Sequence, residues 1–582
     1  MNYLWSKNIE KSFLANVYLG IFKWDMVKAF PEQSASEKEI GDKFCERIDQ
    51  ILNENVKKED IEDTGMLPAR YLKLITEEGF TRLQLPKEYD GHELSHYNTF
   101  RILQTAIRNC FPAGFTLATH NAFGAGSILS ALPEGYLKDY ISEELRNGGF
   151  SGWADTEPTG AANRLVSTKA TLCEDGEHYI INGRKVYIAN GSIADILIVS
   201  TTVTKEDGTD EGCLFIVDTK NQGFSVDKVH DLMGLRGFPI AALNFNNVKV
   251  HKNKMVSMKE GHWRDTFLLE PISALGRMFS LTSASLAVSK KCLTWMKDFC
   301  NRKKINGISL GEYEEIQRKI SQTAAEIFAM ESVIKWGIIN IDFENLADRW
   351  WELFSTKNIT TLFANHIADR TIAVFGAEGY EKAQSKKEIG YSAIELEQVF
   401  RDIRGLRISG GVDFQIDNRS TQLWLEAFYY NSDFDIDVVK NNFGVAEEIV
   451  KEAQNLSSLN KEHLIKVNDE VVKLGNHIKY LVKSFDKEEL FAKQRIMILT
   501  NKIVREIYLI SCCLSRTNAA NKELANDYNM LTETYCIDSL QKIQSYWHQL
   551  DCELQQENKN PFNILGNRIL DGDLDTIVLE NI

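Results

Sequence analysis

The run RDIRGLRISGGVD at 401–413 brings carboxylates, arginines and glycines together within one short stretch. Asp402 and Asp413 carry carboxylates able to take up a proton, whereas Gly410 can abstract nothing. Asp413 follows Gly410 by three residues and reaches the same place if the SGG segment turns sharply, which glycine permits. Glu270 precedes Gly276 by six residues, too far along a helix to be a simple neighbour, though a bend could redirect it. A further carboxylate, Asp155, sits in ADTEP at 154–158; its ordinary use is backbone capping. Asp402 reads as a structural ion-pair partner. The ten cysteines are scattered without a compact metal-ligand pattern, so free thiols are expected and no metal site is. Proton transfer by a carboxylate is thus the chemistry these residue types offer, and Gly410 interrupts it at its centre.

Positioning such groups requires large cores, and 582 residues are enough for several domains. A net charge of −15 gives no support to a broadly basic nucleic-acid surface, while leaving room for a local positive pocket. No apolar run reaches the roughly 18 residues of a membrane span, and no secretory signal is evident. A cytoplasmic or organelle-interior location is expected, with a peripheral membrane contact left open.

Residues 1–38 read as an amino-terminal extension and 39–147 as a helical domain, punctuated by Pro68, Pro86, Gly91, Pro112 and Pro133. From 148 to 260 the rhythm changes to short strand-like runs such as ADILIVSTTV and CLFIVDT, predicting a β-domain. Helical periodicity returns over 261–430, where Arg302-Lys303-Lys304 forms a basic helix end that complements the helix dipole. Residues 431–582 read as an additional helical domain. There Leu464, Val467, Val471, Leu474, Ile478 and Leu481 share one helix face. That face suits packing within the domain, association with a protein, or a membrane surface.

Several motifs in order carry a resemblance: LPKEYDG at 85–91, ADTEP at 154–158, YIINGRKVYIANG at 179–191, MGLR at 233–236, FGAEGY at 375–380 and FRD at 400–402. No single one is decisive, but their sequence across most of 39–425 resembles the acyl-CoA dehydrogenase family, particularly its longer, very-long-chain-like members. The resemblance implies an α+β fold: an N-terminal helical domain, a middle β-domain and a C-terminal helical bundle, followed here by an extra helical domain. It also implies FAD, an acyl-CoA or acyl-carrier-protein thioester, an electron-transfer flavoprotein as electron acceptor, and a homodimer.

Residue by residue, the resemblance sets Trp153, Asp155, Thr156, Tyr187 and Ala189 around the flavin. Tyr187 stands for a common tryptophan and Ala189 for a common threonine. Arg302 matches an arginine that reaches the cofactor phosphates, Gln317 a residue used across the subunit interface, and Arg277 a family arginine assigned to substrate binding. Gly376 and Gly379 match glycines that bring the chain close to the dinucleotide, with Ala377 and Glu378 replacing a common glycine and asparagine. Gly410 falls where many members carry the catalytic glutamate, and Gly276 where some branched-substrate members carry it. Both familiar base positions are therefore glycine, leaving Asp413 and Glu270 as replacement candidates. The function expected is an unusual FAD-dependent acyl-thioester dehydrogenase that introduces an α,β double bond. The alternatives are a FAD-binding homologue with a regulatory or interaction role, and an oxygen-dependent oxidation.

Overall fold

In the computed structural model, which describes residues 11–163, 165–256, 269–430, 446–555 and 560–579, the helix Phe111–Phe123 is the axis of the amino-terminal half. Only Asn121 and Phe123 of its thirteen residues escape burial, as befits a segment that is apolar nearly all round. Proline in its first turn costs no hydrogen bond, and the hydroxyls of Thr116 and Thr119 bond back to the carbonyls of Pro112 and Phe115. One amphipathic helix, His96–Asn109, packs on it, and a second, Ala35–Asn55, packs on the first. Ala35–Asn55 is capped by the Ser34 hydroxyl and His96–Asn109 by that of Ser95, each accepting from a backbone N–H in the first turn.

Seven strands follow: β1 (Ser151–Ala154), β2 (Lys169–Leu172), β3 (His178–Ile188), β4 (Ile196–Thr204), β5 (Asp210–Asp218), β6 (Phe224–Val229) and β7 (Ala241–His251). β1 and β2 both run parallel to β4, with Ser151 opposite Ile196 and Lys169 opposite Thr202. The other pairings, β4 with β5, β2 with β3, β3 with β7 and β7 with β6, are antiparallel. Leu197, Val199, Phe215, Leu243 and Phe245 fill a core of the sheet's own. Ile196, Ile198, Leu214 and Ile216 pack instead with Leu85, Ile128, Leu145 and Ile272 of the helical regions.

The carboxy-terminal bundle is built from Leu269–Arg277, Ser283–Arg302, Glu314–Ile338, Trp350–Phe375 and Asp413–Phe428, and three further long helices, Ser458–Ser484, Gln494–Asn518 and Ala525–Gln555, continue it. All six residues of the apolar series from Leu464 to Leu481 have no exposed surface, so this face serves internal packing. The SFLANVYLGIF segment is drawn into the same core. Phe13 packs on Phe22, Trp336 and Tyr508, the Tyr18 hydroxyl donates to Asn501 Oδ1 at 2.7 Å, and Glu352 accepts from Ser12 Oγ and Leu14 N–H.

Two contacts lock these parts together. Gly20 meets Gly475 so closely that a Cβ on Gly475 would lie 2.5 Å from Gly20 Cα. The MGLR loop of the β-region presses on Leu396–Arg404, where Leu235 N–H donates to Asp402 Oδ1 at 2.5 Å. Asp402 is therefore a backbone acceptor, not an ion-pair partner; neighbouring Arg401 pairs with Glu397 and Glu62. Burial raises the Asp402 carboxyl to about 7.

Gly475→Ala is expected to cost about 1–3 kcal/mol, because backbone must move to admit the methyl group; a urea midpoint within error of the natural protein's would show that the crossing is slack. For Asp402, the unfolded carboxyl ionises above its ordinary pKa near 4 while the folded one stays protonated up to about 7. The unfolded state then holds fewer protons, so this group makes stability fall as pH rises between those values, by at most about 1.4 kcal/mol per pH unit. Urea midpoints at pH 5 and pH 7 should therefore drop in the natural protein relative to Asp402→Asn. Parallel pH profiles for the two would rule out a buried, protonated Asp402.

Candidate functional site

Leu269–Arg277 runs without a break through a π turn at Met278–Thr282 into Ser283–Arg302. Such turns recur at functional sites because they shift the register of the side chains around them. Gly276 lies just before the turn, at the crossing with Phe111–Phe123. A Cβ there would come 2.5 Å from Ala122 O and 2.9 Å from Phe123 Cε1, so backbone itself closes the position to any side chain. Arg277 leads away from the crossing. Its Nε donates to Gly410 O at 2.9 Å, its Nη1 donates to Ser273 Oγ, and its guanidinium lies 4.7 Å from the Phe354 ring centroid. Burial lowers the Arg277 pKa, and the charge of Glu270 partly offsets that.

Gly410 and Gly411 both adopt positive φ, +67° and +103°, which makes the sharp turn at 409–412 a glycine structure. A Cβ on Gly410 would approach Leu281 Cδ1 at 2.9 Å and Arg277 Nε at 3.3 Å, both movable side-chain atoms. The two positions matched to the family's base thus differ: position 276 is shut by backbone, while 410 is bounded by side chains.

The turn is held from the other side by Lys357, which has no exposed surface and donates from Nζ to Gly411 O at 2.7 Å. Burial, reinforced by the charge of Arg277, pulls the Lys357 amine down to about 7. Asp413 opens the helix Asp413–Phe428, and both of its oxygens are engaged. Arg407 donates to Oδ2 from Nε at 2.8 Å and from Nη2, while Phe414 N–H donates to Oδ1. Burial works against its charge, but Arg407 outweighs it and holds the carboxyl below its usual range. Glu270 lies in the first turn of its helix, six residues before Gly276.

Beside Gly276 opens a cavity of about 410 Å³ between the 81–96 segment and the 269–302 helix, with Gln84, His96, His120 and Phe279 among its walls. Burial lowers both histidines to about 4, so they are neutral near pH 7. His120 accepts from Ser151 N–H at Nδ1 and faces Thr81 O through Nε2 at 3.1 Å, which assigns the proton to Nε2 and ties the central helix to β1. His96 lies 2.5 Å from Gln84 Nε2 and turns its ring edge to Phe343.

Strands β1 and β3 carry the residues assigned to the flavin. Val186 N–H donates to Thr156 O, joining ADTEP to β3, and Ala189 O comes within 2.7 Å of a Cβ built on Gly152. Trp153 is partly buried. Tyr187 is 58% exposed at φ +58°, stacked on His230 with centroids 4.6 Å apart. Asp155 accepts from Ser200 Oγ at 2.6 Å. Under this surface Lys185 is wholly buried and donates to Glu157 Oε1 at 2.9 Å; Ser167 and Thr168 N–H also donate to that carboxylate. Burial would raise Glu157, yet Thr168 and Lys185 hold it at about 2.

A second group forms around Arg302, at the end of its helix. Its guanidinium lies 4.9 Å from the Phe299 centroid, Phe299 stacks on Phe375, and Arg302 pairs with Glu378. Gly376 begins that turn at φ +61°, with open space where a Cβ would stand, whereas Gly379 packs against Phe375 and Ile372. Gln317 is exposed on Glu314–Ile338. The first group offers an aromatic face and a threonine hydroxyl, residue types that suit a flat aromatic ring, and the second a guanidinium and a glycine turn with open space, which suit phosphates.

Sequence reading missed Lys185, Glu157, Lys357 and the two histidines. Lys185 left a trace: it shares the inward parity of Ile181 in YIINGRKVYI, where a charge needs a buried partner, and ADTEP supplies one. Lys357 sits mid-helix with Leu353 and Thr361 four residues away on either side, so no local carboxylate explains it. Among the described residues no group of histidine, cysteine and carboxylate side chains could hold a metal, and no helix is long and apolar enough to cross a membrane.

Three family models match consecutive parts of the chain: acyl-CoA dehydrogenase N-terminal domain over 36–144, middle domain over 152–248 and C-terminal domain over 275–415. The probable acyl-CoA dehydrogenase FadE10 of Mycobacterium tuberculosis is 28% identical over 406 residues, which are 69% of this chain. The chain spans 61% of that protein's length. The caffeyl-CoA reductase-Etf complex subunit CarC of Acetobacterium woodii is 23% identical across 66% of this chain and 95% of its own. Among solved structures, an acyl-CoA dehydrogenase complexed with FAD from Bacillus anthracis superposes with a TM-score of 0.77 at 18% identity, covering 95% of this chain and 94% of the other. At that identity the likeness establishes the fold.

Proposed function

Since the chain belongs to the acyl-CoA dehydrogenase superfamily, we propose that it is a FAD-dependent acyl-thioester dehydrogenase of the longer, very-long-chain-like kind, forming an α,β double bond without a glutamate at either familiar base position. The observation that carries this reading is the cavity of about 410 Å³ that reaches Gly276, one residue from the arginine that grips the Gly410 turn. An acyl chain in that cavity directs its thioester end toward the 409–412 turn. FAD, when bound, supplies the acceptor for the β hydrogen and its electron pair.

The chain's own residues do the rest. Trp153, Tyr187 and Ala189 would flank the ring system and Thr156 would offer it a hydroxyl, while Asp155 stays tied to Ser200. Arg302, Gly376 and Gly379 receive the phosphate-bearing half, with Gln317 reaching across a homodimer interface. Arg277, assigned to the substrate, follows Gly276 and holds the 409–412 turn. The α proton passes to Asp413, the nearest carboxylate beyond the turn, with Glu270 as the alternative. Because Arg407 stabilises the Asp413 anion, it is a weak base and turnover is slow. The substrate is an acyl-CoA or acyl-carrier-protein thioester, and a relative named as a subunit of a reductase-Etf complex supports an electron-transfer flavoprotein as acceptor. A cytoplasmic or organelle-interior location fits these partners.

A second reading is favoured by the closed position at Gly276: a FAD-binding homologue that has given up ordinary dehydrogenation for a regulatory or interaction role, or for oxygen-dependent oxidation. Anaerobic spectra of FAD-loaded protein with a panel of acyl-CoA and acyl-carrier thioesters separate the readings. Slow bleaching with enoyl product is expected, and Gly410→Glu should speed it by roughly a hundredfold, the lower range for a positioned general base. Cofactor occupancy and melting temperature must be matched, since a non-glycine residue at φ +67° costs about 1–3 kcal/mol. FAD that no acyl thioester bleaches in either form would abandon dehydrogenation, and acyl-dependent oxygen uptake would assign an oxidase.

A further inference from the structure

We propose that Glu378 competes from within the chain for the arginine that would hold the cofactor's phosphates, so that FAD binds by displacing an internal carboxylate. The inference rests on the FAD reading above. Arg302 Nη2 is bonded to Glu378 Oε1, and no shift of backbone is needed for the pair to form. Stacking of the guanidinium on Phe299, itself stacked on Phe375 at 4.0 Å, fixes the plane that the arginine presents.

The Glu378 backbone is equally fixed. Lys386, which has no exposed surface, donates from Nζ to Glu378 O at 3.2 Å and anchors the 377–380 turn. The carboxylate side chain is only 12% exposed, whereas Arg302 is 50% exposed and so open to a ligand from solvent. Beside them Gly376, at φ +61°, has nothing within 4 Å of where its Cβ would be, leaving a gap through which a dinucleotide can approach the backbone.

A guanidinium satisfies a carboxylate or a phosphate in the same fork geometry. A pyrophosphate arriving at Arg302 therefore meets a fixed negative charge already using one edge of that fork, and the two anions repel. Glu378 must rotate away or share the arginine, and either lowers the net gain from binding. Since one partner is half exposed, the internal pair is weak enough to be displaced. The consequence is a weaker affinity for FAD than the same arginine would give without the carboxylate beside it. A carboxylate that instead orients the arginine improves its contact with phosphate. The two roles predict opposite signs.

The test is FAD titration of the full-length apoprotein, followed by quenching of flavin fluorescence. Glu378→Gln keeps the size and removes the charge, and Glu378→Asn is a second variant should the first be poorly folded. Both are expected to lower the FAD Kd roughly fivefold, and the gain should vanish when Arg302→Met is combined with Glu378→Gln. An unchanged Kd, or one raised by the loss of the carboxylate, overturns the competitor role. If neither the natural protein nor any variant binds FAD, the cofactor reading itself fails and this proposal fails with it.

Discussion

The backbone approach at Gly276 sets the geometry on which the rest of the candidate site depends. Where a Cβ would stand only 2.5 Å from Ala122 O, the long 269–302 helix can lie directly on the central helix. The central helix is approached closely near its start as well, since a Cβ on Gly114 would lie 2.3 Å from Ile107 N. Fixing both crossings fixes the wall of the cavity and the direction in which Arg277 leaves the helix. That same closeness excludes any acid or base from position 276. Close packing of backbone on backbone is therefore what decides the residue type at this position.

Several charged groups buried in the bundle and sheet are matched by partners from distant parts of the chain. Lys185 and Glu157 bind ADTEP to β3, so the loop and strand that face outward share one support. Asp417 accepts from Asn358, Asn501 and Arg505, and Asn501 in turn accepts from Tyr18. One polar network thereby joins the amino-terminal segment, the bundle and the additional carboxy-terminal helices. Losing one partner of such a buried pair typically costs about 3–5 kcal/mol, far more than the pair's net worth. These networks therefore act mainly to specify which elements meet, while apolar burial supplies the driving force.

The architecture was legible because its signals are periodic. The short strand-like runs of the middle segment, the three-and-four spacing from Leu464 to Leu481, and the order of the motifs are each read without knowledge of neighbouring elements. What escaped depends on contacts between elements. That Gly276 is closed and Gly410 only bounded by side chains follows from Ala122 and Leu281, which no local pattern links to them. Asp402 looked like half of an ion pair because Arg401 precedes it, yet the arginine turns to Glu397 and Glu62 and the carboxylate turns to a backbone N–H. Glu378 itself was visible in the FGAEGY motif; its pairing with Arg302, 76 residues away, was not.

Net charge is an equally poor guide to the site. The chain carries −15 overall, yet the turn at 409–413 is surrounded by Arg277, Lys357 and Arg407. The carbonyls of Gly410 and Gly411 accept from the first two, and Asp413 answers the third. Cations so arranged stabilise any negative charge that enters, and for a carboxylate this has one consequence: it ionises easily and gives up basicity in proportion. Burial pulls in the other direction on the lysine, bringing Lys357 to about 7 and making its charge the most readily lost of the three. Of the three cations Arg407, bonded directly to the carboxylate, bears most on how tightly Asp413 is held as an anion.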